Sequence, residues 1–259
     1  MKKTTFLSFL ILSSIVLTSC LPDSPGNTYT STFPRLVTIN HSTEPPRFYA
    51  DYTNEEFVIS NINTNDDLKK FKLEDADRAL IYVTLNVVDY DAEYILERDS
   101  YPLDINPVCN KDLTLDESFG PVYGFSRLEV ESTWAYPYAW VSHGYLSILP
   151  QVKVEKDAES KHYLVPEGVS NDTLSFSLHS QYESGSTLRA DYVCFDLQTL
   201  GDTASADAEA KSIMKSMVNK LNSSADSVMV VVVADYLKVW PDTIIKTMVP
   251  TNYFYLRID

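Results

Sequence analysis

The chain has 259 residues, 44% of them hydrophobic, and a formal net charge of −15 at pH 7. This apolar fraction is sufficient for a packed core and argues against global disorder. The strong negative charge disfavours contact with phosphate backbones and anionic lipid surfaces, so we expect no nucleic-acid partner and no polybasic membrane contact.

The N-terminus has the features of an export signal. Two lysines precede an uncharged apolar segment, residues 6–17, that is too short to span a bilayer as a helix of about 20 residues. Residues 17–20, Leu-Thr-Ser-Cys, match a lipobox, in which the cysteine thiol is acylated and the preceding peptide is removed. We therefore predict a signal peptide over residues 1–19 and lipidation at Cys20. The alternative is an ordinary secretory signal that contains a cysteine.

Lipid is the predicted membrane anchor, because no later segment reaches transmembrane length. Two or more acyl chains, at about 0.8 kcal/mol per buried CH₂, hold a protein on a membrane where one chain does not. Without the signal peptide, 19 basic and 36 acidic side chains remain, which is a net charge of −17. Residues 21–25 lack an acidic cluster resembling a surface-export signal. We therefore expect the outer membrane and its periplasmic face, with surface exposure as the alternative.

Residues 20–35 contain proline, serine and glycine without periodicity and are predicted to form a flexible tether. Short strands and polar turns then alternate, the clearest strand lying at residues 77–87. Residues 51–55 form a polar turn between two shorter strands, in the manner of a hairpin. About five short strands in this length are typical of a small, partly closed barrel, so we predict an OB-like β-barrel domain over residues 36–115.

A second β-rich region follows a polar boundary and is predicted to occupy residues 120–259. Leu174, Phe176 and Leu178 alternate with polar residues, which indicates a strand with one buried and one solvated face. Such strands are typical of an antiparallel β-sandwich. The predicted fold class is therefore mainly β, a small OB-like barrel followed by a sandwich.

One amphipathic helix is predicted near residues 205–221. Acidic residues lie in its first turn and lysines near its end, as the helix dipole favours. Its apolar side chains form a single stripe: Ile213, Met214, Met217, Val218 and Leu221. The β-branched run at residues 228–233 should be covered on both faces, and we expect the helix to cover one of them.

Several segments resemble the NigD-like lipoproteins of Gram-negative anaerobes: Arg78 to Leu85, Trp134, Tyr145 to Ile148, and Val193 to Leu197. The resemblance covers about residues 36 to 200 and includes no catalytic signature. It implies an N-terminal OB-type domain, a C-terminal β-sandwich and no established activity. The chain from Thr203 onward departs from the shorter ending expected of such proteins.

The sequence contains no motif of a known catalytic or metal site. The four histidines, His41, His143, His162 and His179, lack the spacing of zinc ligands. No Gly-x-Ser-x-Gly nucleophile motif occurs. We therefore predict no catalytic residues, no metal and no cofactor. A hydrolase whose site is assembled from distant residues stays open, because geometry rather than spacing defines a triad.

Four aromatic residues, Trp134, Tyr136, Tyr138 and Trp140, would share one face of an extended chain. Pro137 removes a main-chain donor, so the stretch should be an edge strand or a loop. The aromatic row could be a stacking platform for sugar rings, or it could cover the sandwich core or lie between the two domains. We favour the structural interpretation.

Taken together, these features predict a non-catalytic, lipid-anchored cell-envelope protein with a binding or structural role. Its partner would be an envelope protein or a glycan. The platform interpretation would instead make it a polysaccharide-binding accessory lipoprotein. The sequence leaves open whether Cys109 and Cys194 form a disulfide, which the oxidising envelope permits.

Overall fold

The computed structural model describes residues 29–51, 55–88, 91–97, 99–108, 119–131, 134–135, 138–171, 173–201, 208–223, 228–239 and 242–249. The predicted signal peptide, Cys20, Cys109 and Tyr136 lie outside these residues. Strands dominate the described part of the chain, so the prediction of a mainly β protein is confirmed.

Six antiparallel strands form the N-terminal sheet: β1 (Tyr29–Asn40), β2 (Arg47–Ala50), β3 (Glu56–Phe57), β4 (Arg78–Val88), β5 (Asp91–Leu96) and β6 (Tyr101–Pro102). The order is β3-β2-β1-β4-β5, with β6 on the same edge of β4 as β5. The tether predicted for residues 20–35 is wrong over residues 29–35. These residues belong to β1, because their main chain pairs with β4.

The described strands of the N-terminal sheet do not close into a barrel, and the prediction was of a partly closed one. Strand β3 has only two residues and forms no ladder with β5. Hydrogen bonds from the residues around β3 to β5 join the two edges instead, including one from the Tyr94 hydroxyl to Glu55 at 2.9 Å. The Ser60 N–H donates to the Tyr94 carbonyl at 2.8 Å, and the Asn61 side-chain amide pairs with the Leu96 N–H and carbonyl at 2.9 and 3.1 Å. The amide thus occupies the place of a strand on the β5 edge.

The interior of the N-terminal sheet has its own apolar core. A 3-10 helix, Asn65–Phe71, follows β3, and at its start the Asp67 carboxylate accepts hydrogen bonds from the Thr64 N–H and hydroxyl. The helix places Leu68 beneath the sheet, where it is fully buried. The core also contains Val37, Phe48, Phe57, Ile59, Ile62, Leu73, Ile81 and Val83. This module can therefore hold its shape through contacts of its own.

Twelve further strands precede the long helix: β7 (Ile105–Pro107), β8 (Phe119–Gly120), β9 (Gly124–Phe125), β10 (Glu129–Glu131), β11 (Trp134–Ala135), β12 (Ala139–Ser142), β13 (Tyr145–Ile148), β14 (Pro150–Val154), β15 (Ser160–Ser170), β16 (Thr173–Tyr182), β17 (Thr187–Ala190) and β18 (Val193–Asp196). A 3-10 helix, Leu197–Gly201, follows β18. The chain then forms helix α1 (Ala208–Ser223) and strands β19 (Met229–Val239) and β20 (Asp242–Val249).

These strands form a sandwich-like arrangement around a second core. The central sheet has the order β12-β13-β18-β7, a smaller sheet has the order β17-β14-β9, and a larger one has the order β15-β16-β19-β20 with β8 beside β16. Strands β10 and β11 pair as a hairpin. The predicted sandwich was antiparallel, and the observed one differs from it at two places. Strand β16 pairs with β19 in parallel, and β18 pairs with β7 in parallel. Both pairs connect segments distant in sequence, which permits parallel pairing.

The predicted helix is present as α1, but its position differs from the prediction. Met214 and Met217 are buried in the second core, as the stripe required. The helix contacts β15 rather than lying along β19. In β19, Val228 to Ala234 alternate between buried and half-buried, so this strand has one buried face and not two. The β-branched run reflects strand propensity rather than burial on both sides.

The central sheet is the part of the fold that is buried on both faces. Residues directly opposite one another in a ladder share a face. Val141, Leu146 and Phe195 therefore face the second core, and their neighbours Trp140, Ser147 and Cys194 face the opposite way. All six are buried. The N-terminal sheet covers Trp140, Ser147 and Cys194, so the central sheet lies between the N-terminal sheet and the second core.

A tight turn fixes the register of the β12–β13 hairpin. Its two loop residues, His143 and Gly144, have φ angles of 50° and 79°. Two-residue hairpin loops with positive φ at both positions match the twist of the flanking strands. This turn places Trp140 opposite Ser147.

Candidate functional site

A buried ion pair lies where the N-terminal sheet meets the central sheet. Arg78 begins β4, and Asp51 follows β2. Their side chains form two parallel hydrogen bonds, from Nη1 to Oδ1 and from Nη2 to Oδ2, each 2.5 Å long. Both side chains have no exposed surface. Such a bidentate pair holds the planar guanidinium in one orientation.

The central sheet supplies the remaining partners of this ion pair. The Trp140 Nε1–H donates to Asp51 Oδ2 at 2.7 Å, and Arg78 Nη2 donates to the Ser147 hydroxyl oxygen at 3.0 Å. The guanidinium also lies over the Tyr145 ring, 5.2 Å from its centroid. On its own sheet, Arg78 Nη1 donates to the Thr38 hydroxyl at 2.8 Å. We call Asp51, Arg78, Trp140 and Ser147 the Arg78 cluster.

The charges of Asp51 and Arg78 in the Arg78 cluster compensate each other inside the protein. Burial opposes the charge of Arg78, but the attraction and hydrogen bonds of Asp51 outweigh it and raise the pKa of Arg78. Removing one partner of a buried pair leaves an uncompensated charge, which is strongly destabilising. Because no atom of the pair reaches the surface, the cluster binds one module to the other and does not offer its charges to a ligand.

A second polar cluster lies at one end of the sandwich. His162 on β15 has Ser180 on β16 at 2.9 Å from Nδ1 and Asp191 at 3.0 Å from Nε2. The Asp191 carboxylate also accepts from the Ser160 hydroxyl at 2.5 Å and from Arg189 Nε at 2.7 Å. Burial raises the pKa of Asp191, but hydrogen bonds from His162, Ser160 and Arg189 together outweigh it and lower the pKa to about 2.

The spatial arrangement of Ser180, His162 and Asp191, with the imidazole between a hydroxyl and a carboxylate, resembles a hydrolase triad. In the neutral ring, Nε2–H donates to Asp191 and Nδ1 accepts from the Ser180 hydroxyl. The ring is therefore reversed relative to a serine-protease triad, in which the nucleophile contacts Nε2. Ser180 is only 2% exposed. A substrate carbonyl has no approach to this hydroxyl, so the cluster connects β15, β16 and the chain after β17.

The aromatic row predicted as a platform does not lie on one surface. Trp140 is fully buried and bonded to Asp51, so it has no face open to a sugar ring. Trp134 belongs to β11, whereas Trp140 belongs to β12. Tyr138 is half-buried, with Arg127 4.2 Å from its ring centroid. Tyr136 lies outside the described residues. For Trp140, the platform interpretation is wrong, because the N-terminal sheet covers its side of the central sheet.

Sequence reasoning missed the residues that make these clusters. Asp51 was interpreted as part of a polar turn and Arg78 as the start of a strand, and neither interpretation predicts full burial. Their pairing spans 27 residues and has no local signature. One signal was available, since an arginine at the start of the strongest apolar strand requires a buried carboxylate if it is buried.

The remaining predictions concern metals, cysteines and membranes. Among the described residues, no group of three or more histidine, cysteine or carboxylate side chains is placed to hold a metal ion. Cys194 is a buried free thiol, 3.4 Å from the Ser147 hydroxyl, and Cys109 lies outside the described part of the chain. No helix in the described ranges is both long and apolar enough to cross a membrane.

Solved structures of several bacterial proteins share this fold. A candidate lipoprotein of Bacteroides fragilis is 12% identical, with a TM-score of 0.56 over 86% of this chain and 98% of that one. A protein of unknown function from Bacteroides vulgatus is also 12% identical, with a TM-score of 0.50 over 88% and 92%. A NigD-like immunity protein of Bacteroides caccae is 15% identical, with a TM-score of 0.49 over 85% and 93%.

At these identities the likeness is one of fold. No protein-family model matches the chain, and no curated protein matches its sequence. The class defined by the fold is a mainly β protein with an open N-terminal sheet and a sandwich-like second module.

Proposed function

We propose that this chain is a non-catalytic, lipid-anchored protein of the bacterial cell envelope, held in the outer membrane by Cys20 and facing the periplasm. The observation that carries the proposal is the Leu-Thr-Ser-Cys sequence at the end of a short apolar segment. The fold it shares with a candidate lipoprotein of Bacteroides fragilis is in keeping with this role. The first described strand begins at Tyr29, so residues 21–28 connect it to Cys20 in the sequence.

The non-catalytic part of the proposal is supported by the His162 geometry. Among the described side chains, Ser180, His162 and Asp191 resemble a catalytic triad, and this serine is buried. Ser177 also lies 2.9 Å from His179 Nε2, but its hydroxyl donates to Glu167 at 2.6 Å and so does not donate to the imidazole. The role left to the protein is to bind or support a partner in the envelope. The net charge of −17 that remains without the signal peptide favours a neutral or basic partner over nucleic acid.

Substitution of Cys20 tests the anchor. The Cys20→Ala variant, expressed in a Gram-negative host, should move from the membrane pellet to the soluble fraction. It should also fail to incorporate an alkyne-labelled fatty acid that the wild type incorporates. Cys109→Ser serves as the matched control, because it removes a cysteine outside the lipobox. Membrane retention of Cys20→Ala together with continued labelling would refute lipidation at this residue.

A fluorophosphonate probe tests the absence of serine-hydrolase chemistry. This reagent modifies activated serines that substrates can reach. We expect no labelling of the wild type, because Ser180 is buried, and no difference between the wild type and Ser180→Ala. Labelling that disappears in Ser180→Ala would contradict the non-catalytic proposal and establish a hydrolase site.

A further inference from the structure

We infer that the Arg78 cluster is a docking lock, which holds the N-terminal sheet against the central sheet and can open without unfolding either module. The first observation is that two apolar cores are distinct. One lies inside the N-terminal sheet, and the other lies in the sandwich. Among the described residues of the N-terminal sheet, Leu36 and Leu80 join the second core, and the partly buried Tyr82 packs against it. Separation of the modules at this contact therefore leaves most of both cores intact.

The second observation is the origin of the charges. Asp51 and Arg78 both belong to the N-terminal module, so an open joint exposes an intact ion pair to water. Docking removes this pair from water, which is costly for each oxygen or N–H group that does not regain a partner. Arg78 Nε is buried and has no hydrogen-bond partner among the described residues, so the partners of the other atoms carry the compensation. The central sheet provides the Trp140 Nε1–H for the carboxylate and the Ser147 hydroxyl for the guanidinium. These two groups make the central sheet a specific partner for the ion pair.

The third observation is that the docking contact extends beyond the charges. The Tyr145 ring packs against the guanidinium, and the Tyr49 ring lies 5.3 Å from the His143 ring at the β12–β13 turn. All of these contacts join β2 or β4 to one hairpin of the central sheet. In the docked state, these contacts fix the orientation of the N-terminal sheet relative to the central sheet.

A thiol next to the lock reports on its opening. Cys194 is 1% exposed and lies 3.4 Å from Ser147, on the face of the central sheet that the N-terminal sheet covers. The full chain carrying Cys20→Ala and Cys109→Ser has Cys194 as its one remaining cysteine. The rate of its reaction with a small maleimide then measures how often the joint opens.

Asp51→Asn should increase the labelling rate of Cys194 at least about thirtyfold, because docking would then bury an unpaired guanidinium. Asp51→Leu with Arg78→Met removes both charges and should return the rate to within about threefold of the parent. Glu56→Gln is the matched control. It breaks the exposed Arg47–Glu56 pair on the same sheet with the same change in charge, and the rate should stay unchanged.

Hydrogen exchange followed by mass spectrometry separates opening of the joint from unfolding. Peptides covering Ile81 in β4 and Phe176 in β16 should keep their protection in Asp51→Asn while Cys194 becomes reactive. Loss of protection in both peptides would show that the molecule unfolds as a whole, which would overturn an independently opening joint. Unchanged labelling would overturn the lock.

A milder variant provides a second test of the docking lock if Asp51→Asn folds poorly. Trp140→Phe keeps an aromatic ring in place but removes the Nε1 donor to Asp51. The labelling rate should rise about tenfold, as expected for loss of one hydrogen bond to a charged acceptor. A rate equal to that of the parent, with both cores protected, would show that the indole does not hold the modules together.

Discussion

Replacing Trp140 with alanine distinguishes a buried joint from a sugar platform more directly than any other single change. The ring has no exposed surface and lies where the N-terminal sheet meets the central sheet, so its removal leaves a large cavity. Truncation of a buried tryptophan costs about 3–5 kcal/mol of the free energy of unfolding. The Asp51 carboxylate also loses the Nε1 donor, and hydrogen bonds to charged groups contribute about 1.5–3 kcal/mol. Because one side chain provides both effects, they do not add fully.

The expected result is therefore a loss of about 3–5 kcal/mol for Trp140→Ala and about 1.5–3 kcal/mol for Trp140→Phe, which retains a ring but not the donor. Urea unfolding followed by far-UV circular dichroism measures both values, because the change removes one of three tryptophans and alters fluorescence. Tyr138→Ala, at a half-buried neighbour, is the control and should lose less. A loss below about 1 kcal/mol for Trp140→Ala, combined with abolished binding in a glycan screen, would refute the buried joint.

Two further predictions concern the second module. Met217→Asp should destabilise it by several kcal/mol, because Met217 has no exposed surface and the new carboxylate would lack a partner. Met217→Leu is the matched control, and an unchanged melting temperature for Met217→Asp would place α1 outside the core. Acidification should also destabilise the protein, because the pKa of Asp191 is lowered from 3.8 to about 2 in the folded state. This contribution, on the order of 1–2 kcal/mol after solvent screening, is present above about pH 4 and is lost as the pH falls through 2. Asp191→Asn should weaken that dependence in urea melts between pH 5 and 2, and an identical dependence would contradict the assignment.

Local patterns predicted the elements whose signals lie within their own residues. Leu174, Phe176 and Leu178 alternate with polar residues and are buried in β16, because a two-residue period is a property of the strand itself. The helix was also predicted correctly, since its stripe and its charged ends depend on its own residues. The start of β1 was missed, because residues 29–35 gain their structure from pairing with β4.

The sequence by itself determined a mainly β chain with one amphipathic helix, because composition and short-range periodicity encode these features. From its N-terminal segment the sequence predicts export and a lipobox at Cys20. Only the tertiary structure decided which charged and polar side chains are buried. Asp51 looks like an ordinary turn residue, and it is buried because Arg78, 27 positions later, and Trp140, 89 positions later, converge on it. Likewise, His162 on β15 gains Asp191 from the segment between β17 and β18, 29 positions later. Burial of a polar side chain depends on partners that only the folded chain brings within hydrogen-bonding distance, and no local pattern encodes that distance.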